Sequence, residues 1–441
     1  MGMRFLAVAG LLVACGGSST TQTLDTRRTT DGGFATETSP ADVSIDMSFD
    51  LPLLVVPDGP AKPLIDTMQD RWTEPPLDAS RDNLADSPLD ATQDGPFDST
   101  TDAWQAHGSD LVSERPKFEA LAVWPGGSEV TSATANKALG SNVSGLVYQP
   151  ARTSTKAILW AVQNDPSKVY RLIANGAQFL PDTTEGWGKG KTLLYPDGTG
   201  SPDSEGMTRT EWDQVELYVV TERNNDQDKK SRMSILRYEL TGTATALKAT
   251  QEWNLTTFLP SSDPNQGLEA IAWIPDSYLV TLGFFDEHRN VVYDPAKYPN
   301  HGTGLFLVGM ETTGMIYGFI LDHLTNSVIR VSQFKSGQAN LMDLSFDRDT
   351  ESLWTLCDDA CENRITVLGI DSEVGSPTKG RFIVRLSLPP PRPIAKLNNE
   401  GLTLAPASEC VDNHKRIFWS DDDESNGIAI RQGTLPCGRL F

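Results

Sequence analysis

A short pattern recurs along the last three quarters of the chain and limits the fold more than any other feature. Its clearest copy is Asn399-Glu400-Gly401-Leu402-Thr403-Leu404, followed by Arg416-Ile417-Phe418-Trp419-Ser420-Asp421. An acidic residue opens a strand-like run, a turn follows, and a second apolar run ends in polar or acidic residues. Four further copies open at Ser144, Glu205, Glu269 and Asp343 and close at Asn164, Glu222, Asp286 and Asp358. A strand-rich unit recurring at such intervals predicts an all-β chain, a β-propeller of five blades around a central channel. The long third unit leaves room for a sixth.

Each unit offers about four strands. In the second these are Glu205–Thr210, Leu217–Glu222, Ser234–Leu240 and Leu247–Leu255; in the fourth, Leu341–Phe346, Leu353–Cys357, Arg364–Ile370 and Arg381–Leu388. Tyr, Trp, Val, Ile and Thr fill these runs, and Gly, Pro, Asn and Asp lie between them. In the third unit the second strand is expected within Val280–Asp286, with an inserted loop to Thr303 and Gly304–Met310 as an added strand. Phe118–Pro125 belongs to no unit. It is expected to complete the last blade, so that N-terminal and C-terminal strands pair and close the ring. Trp187, Trp212, Trp253, Trp273, Trp354 and Trp419 lie mostly within strands, where packing between blades explains them better than a carbohydrate platform.

The chain ahead of the repeats is of another kind. Residues 16–113 hold 16 Asp and 2 Glu against 5 Lys or Arg, so most of the net charge of −22 sits there. Acids fall there on a near-regular period of four, but like charges at that spacing repel on a helix, and eight prolines would break one. The stretch reads as a disordered, self-repelling acidic spacer. Residues 1–15 resemble an export signal: Arg4, an apolar run from Phe5 to Val13, and Leu12-Val13-Ala14-Cys15, which resembles a bacterial lipobox. That resemblance implies lipidation at Cys15 and an outer-membrane or cell-surface anchor, Gly16 rather than Asp following the cysteine. Residues 114–441 are the expected propeller, and a monomer is expected. The acidic balance, with no basic stripe, argues against nucleic acid.

Four cysteines remain beyond Cys15. Their spacing favours disulfides Cys357–Cys361 and Cys410–Cys437. Zinc at Cys357 and Cys361 is the rival, but no second close pair follows.

The domain resembles the phytase-like, or esterase-like, family of secreted bacterial propellers. The resemblance rests on Ser144-Gly145-Leu146, Leu159-Trp160-Ala161-Val162, Tyr195-Pro196-Asp197-Gly198-Thr199-Gly200, Asp203-Ser204-Glu205-Gly206, Thr221-Glu222-Arg223-Asn224, Gly267-Leu268-Glu269-Ala270-Ile271, Cys357-Asp358-Asp359 and Asn398-Asn399-Glu400-Gly401. Members mostly lack an assigned substrate, so the resemblance implies a fold more than a reaction.

Glu205, Glu269, Asp343 and Glu400 share one register, which in a propeller points first-strand residues at the channel. Carboxylates converging there would raise one another's pKa values unless a cation neutralised them, and calcium suits such an oxygen cage. The competing expectation is that they cap turns or pair with arginines such as Arg223 or Arg364. Glu222, Asp286, Asp358 and Asp421, at the ends of second strands, could face the channel mouth. In a calcium-dependent phosphatase of this kind Glu222, Asp358 and Asp421 would serve the bound calcium and Arg223 would neutralise a substrate phosphate. A small phosphorylated ligand at the mouth is thus one expectation, and a non-enzymatic binding propeller with structural calcium is the other. Serine-esterase chemistry is not expected, since no Gly-x-Ser-x-Gly elbow accompanies His301-Gly302-Thr303-Gly304.

Overall fold

The computed structural model describes residues 119–121 and 123–441. The expected export signal with Cys15 and the expected acidic spacer lie outside the described residues. Five sheets account for the repeats. Their inner strands are Val143–Gln149, Pro202–Thr208, Leu268–Pro275, Asp343–Asp347 and Asn399–Leu404, one for each predicted opening. From each, the chain steps outward through antiparallel strands.

Strand periodicity explains how the ring holds together. Successive side chains point to opposite faces, so a buried strand must be apolar on both. In blade 1, Leu159 and Ala161 pack toward blade 5, whereas Trp160 and Val162 pack toward blade 2. The same division repeats at every junction, giving five apolar clusters between five neighbouring pairs of blades. Trp187, Trp253, Trp273, Trp354 and Trp419 sit inside these clusters, and Trp212 packs against one. The fold is a five-bladed propeller, with no sixth sheet of blade size among the described residues.

Three details differ from expectation. The ring is closed by Thr131–Ser132, antiparallel to Ile430–Pro436 in blade 5. The earlier segment Glu119–Ala120 instead runs parallel to Phe382–Leu388 on the rim of blade 4. Between them Trp124 lies 5.8 Å from Trp419, its indole N–H donates to Thr434 O at 3.2 Å, and Gly126 presses against that same carbonyl. A continuous strand through Pro125 would forgo this crossing and place a residue without an amide donor in the ladder.

In blade 3 the second strand is Gly304–Met310, not Val280–Asp286. Tyr278 to Thr281 are strand-like by propensity but belong to a one-and-a-half-turn helix, Asp276–Thr281, which buries Tyr278 and Leu279 and ends near Gly283 at φ +63°. Phe285–Asp286 forms a small hairpin with Val291–Val292. The inserted segment therefore runs from Asp276 to Thr303. The expected strand Leu247–Leu255 is also divided: Ala246–Lys248 pairs with Lys191–Leu194 of blade 1, and Gln251–Asn254 edges blade 2. Both disulfides form as the spacing favoured, Cys357–Cys361 and Cys410–Cys437. Their sulfurs are bonded to each other, which removes the thiolates that zinc would need.

Candidate metal centre at one end of the channel

Inner strands side by side and running the same way bring their first residues to one end of the channel. Close approach there is permitted by the small residue after four of the five openings, Gly145, Gly206, Ala270 and Gly401, Asp343 being followed by Leu344. A Cβ on Gly145 would meet Glu205 O, one on Gly206 would meet Glu269 O, and one on Gly401 would meet Ser144 O. Register shifts at Val143/Leu146, Ser204/Met207, Leu268/Ala270 and Asn399/Gly401 mark bulges in four of the five strands. A bulge re-aims a side chain locally, and these sit where the repeated acids do.

The carboxylates gather unequally. Asp203, Glu205 and Glu222 form one buried triad, with ligand oxygens all within 4.8 Å of one another; Glu222, Glu269 and Glu311 form a second. Glu222 belongs to both. Its Oε1 accepts the Gly267 amide hydrogen, and its carboxyl lies close against that of Glu269 within the second triad. Glu400 completes the group from blade 5, accepting from Ser144 Oγ at 3.1 Å. Asn164 Nδ2 lies 3.4 Å from Glu205 Oε1.

Burial raises every one of these acids. Glu205, Glu269 and Glu400 stand well above the usual carboxylate range, first through desolvation and then through neighbouring carboxylates, foremost Asp203 for Glu205, Glu205 for Glu269 and Asp422 for Glu400. Glu222 is pushed up to about 7, chiefly by desolvation. Asp422, next to Glu400, is pushed up to about 6 by desolvation and then by Asp423 and Asp421. Glu311 and Asp358 are raised too, again mainly by burial. Of Asp203, Glu205, Glu222, Glu269, Glu311 and Glu400, only Asp203 has an ion-pair partner among the described residues, Arg223 at 2.7 Å.

Several expected site residues are engaged elsewhere. Asp343 shares the register but not the cluster: Oδ1 accepts from Leu344 N at 2.8 Å and Oδ2 from Leu402 N at 2.6 Å, so it joins blade 4 to blade 5. Asp421 is fully buried in an ion pair with Arg431 at 2.7 Å and accepts from Ser425 N, which turns it into a brace of blade 5. Asp358 caps the short 3-10 turn Asp359–Cys361 while staying near Glu311. Arg223 is committed to Asp203. Arg364 donates to Ser387 Oγ and pairs with none of the ring acids. Asp286 lies in the insertion, where it accepts from Tyr298 Oη and Arg289 N.

Asp203 and Glu311 are the members that the repeat alone did not single out. Asp203 stands two residues before Glu205 on the irregular stretch of the inner strand between Pro202 and Met207, which lets both carboxylates reach Glu222. Glu311 follows the true second strand of blade 3 and holds the position that the misplaced strand had given to Asp286.

No family model matches this sequence, and no curated protein matches it. Among solved structures the chain is similar to a structural-genomics protein of unknown function from Bacteroides thetaiotaomicron, at 10% identity and a TM-score of 0.33, over 69% of this chain and 75% of that one.

The donor set suits a hard divalent cation: all ligands are oxygens, most are buried, and among the described residues Arg223 is the one cation paired with any of these six acids. Glu311 Oε2 and Asn164 Oδ1 are buried without a hydrogen-bond partner. Lone pairs left so cost free energy that a bound cation would recover.

Proposed function

We propose that the protein is a calcium-dependent phosphoester hydrolase, phytase-like in design, acting outside the cytoplasm from a lipid anchor at Cys15. The observation that carries this reading is the sharing of Glu222 between two carboxylate triads. Two neighbouring oxygen cages with a common carboxylate are what two-metal phosphoester hydrolysis requires. Asp203 and Glu205 would hold one calcium with Glu222, and Glu269 and Glu311 the other. Calcium bound there would supply positive charge for phosphoryl oxygens and acidify a coordinated water. Arg223 would act through Asp203, fixing that carboxylate rather than meeting the substrate. Asp358 and Asp422 would line the approach.

A second reading has its own support. Arg223 and Asp421 are spent on ion pairs, so this end of the channel offers a substrate phosphate no free arginine of theirs. A binding propeller with structural calcium needs none.

Phosphate release from a phosphoester panel including phytate separates the two, measured on the full chain with calcium and with a chelator. Release that requires calcium and is lost in Glu222→Gln, with melting temperature retained, is the expected result. Calcium-dependent stabilisation without release would leave the binding propeller, and neither response would remove calcium from both. Run on intact producing cells, the same assay should lose its cell-bound activity to the medium in Cys15→Ala.

A further inference from the structure

The opposite end of the channel is built from different chemistry. Roughly 13 Å along the inner strands from the acids, all five blades line a cavity of about 130 Å³. Its walls include Arg209, Arg348, Trp212, Trp273, Phe346 and Pro406. Arg209 is 5% exposed, yet it has no carboxylate partner among the described residues. Its Nε donates to Glu216 O at 3.3 Å, Nη1 to Gln149 Oε1 and Nη2 to Gln214 O. All three acceptors are neutral, and two of the five guanidinium N–H groups are left over.

The other charges at this end are accounted for. Arg348 pairs with Glu211 at 3.3 Å and lies over the rings of Trp212 and Trp273. Asp347 is buried against Lys415. Asp349 is exposed at the rim, where it accepts from Ala407 N. Arg209 lies over the Trp160 ring at 5.5 Å and is thus a buried cation without a carboxylate partner beside a cavity. Burial lowers its pKa to about 10, which leaves it charged at neutral pH. An unpaired buried charge is costly, and an anion arriving from solvent would offset that cost.

Size and lining narrow the choice of anion. A cavity of about 150 Å³ takes benzene when its lining is apolar; this one is of similar volume, with Trp212, Trp273, Phe346 and Leu146 on its apolar side and Thr208, Ser345, Thr403 and the charged groups on its polar side. We propose that this end of the channel binds a small carboxylate bearing one six-membered ring, its carboxylate on Arg209 and its ring against Phe346 and Trp212. The site is independent of calcium.

Titration calorimetry of the full chain with benzoate, and with benzamide as its uncharged counterpart, tests this. Benzoate is expected to bind with a dissociation constant below ~1 mM and benzamide at least about tenfold more weakly, alike in calcium and in chelator. Arg209→Met should lose the preference for benzoate. Because that residue also holds the loop to Glu216, a second variant is needed: Ser345→Phe fills the cavity from its wall and should abolish binding with melting temperature unchanged. Equal affinity for benzamide, binding that survives Ser345→Phe, or no heat with benzoate up to roughly 10 mM would each overturn the proposal.

Discussion

Glu311 and Asp343 show how little a shared register says about what a carboxylate does. Asp343 keeps the repeat's position, but two backbone amides consume its oxygens, so its value is mechanical. Asp343→Asn would turn an amide NH₂ toward one of those N–H groups and is expected to cost about 1–3 kcal/mol, read by urea unfolding, while calcium affinity stays unchanged. Glu311→Gln should do the reverse. It removes a charge from a cluster whose acids outnumber its one paired cation, Arg223, so calcium binding weakens at least about tenfold while the metal-free protein keeps or gains stability. A calcium affinity that falls in Asp343→Asn but not in Glu311→Gln would invert the site. The sequence showed Glu205, Glu269 and Glu400 because each opens a repeat beside a small residue. It could not distinguish Asp343, whose partner Leu402 lies 59 residues away.

At the scale of elements, the inner strands were legible because each is apolar on both faces and bounded by turn residues. The losses came where tertiary contacts outweighed local preference. Tyr278-Leu279-Val280-Thr281 has strand-like composition, but it forms a helix because Tyr278 and Leu279 can then bury in the cluster between blades 3 and 4. That one displacement exchanged Asp286 for Glu311 in the ring. The closing strand was misplaced for a similar reason: a chain crossing two blades depends on Gly126, whose contact with Thr434 O is remote in sequence. Gly126→Ala would set a Cβ 1.7 Å from that oxygen. The crossing would be forced off blade 5, lowering stability by about 1–3 kcal/mol. Amide exchange should quicken in Ile430–Pro436 and not in blades 2 and 3. Uniform exchange across all blades would mean that the ring does not depend on this closure.

For the molecule as a whole, the two ends of the channel differ in chemistry, buried carboxylates gathering at one and the buried Arg209 lying at the other, and the acidic end ties stability to pH. Glu222 and Asp422 hold protons in the folded chain up to about 7 and about 6, whereas the unfolded chain releases them at the ordinary carboxylate values of 4.5 and 3.8. Between these limits the folded state binds more protons than the unfolded one. Their contribution to metal-free stability is therefore complete at the acid end and disappears as pH rises through about 6 and 7. Calcium competes with those protons, so its binding strengthens over the same interval, and at a hundredfold excess over its dissociation constant it adds about 2.7 kcal/mol. In chelator the melting temperature should fall by several degrees between pH 5 and 8. In calcium it should hold level or rise, so that the two curves diverge with pH. Parallel curves would mean that the carboxylates are neutralised from within the protein, and the shared Glu222 would then have no cation to hold.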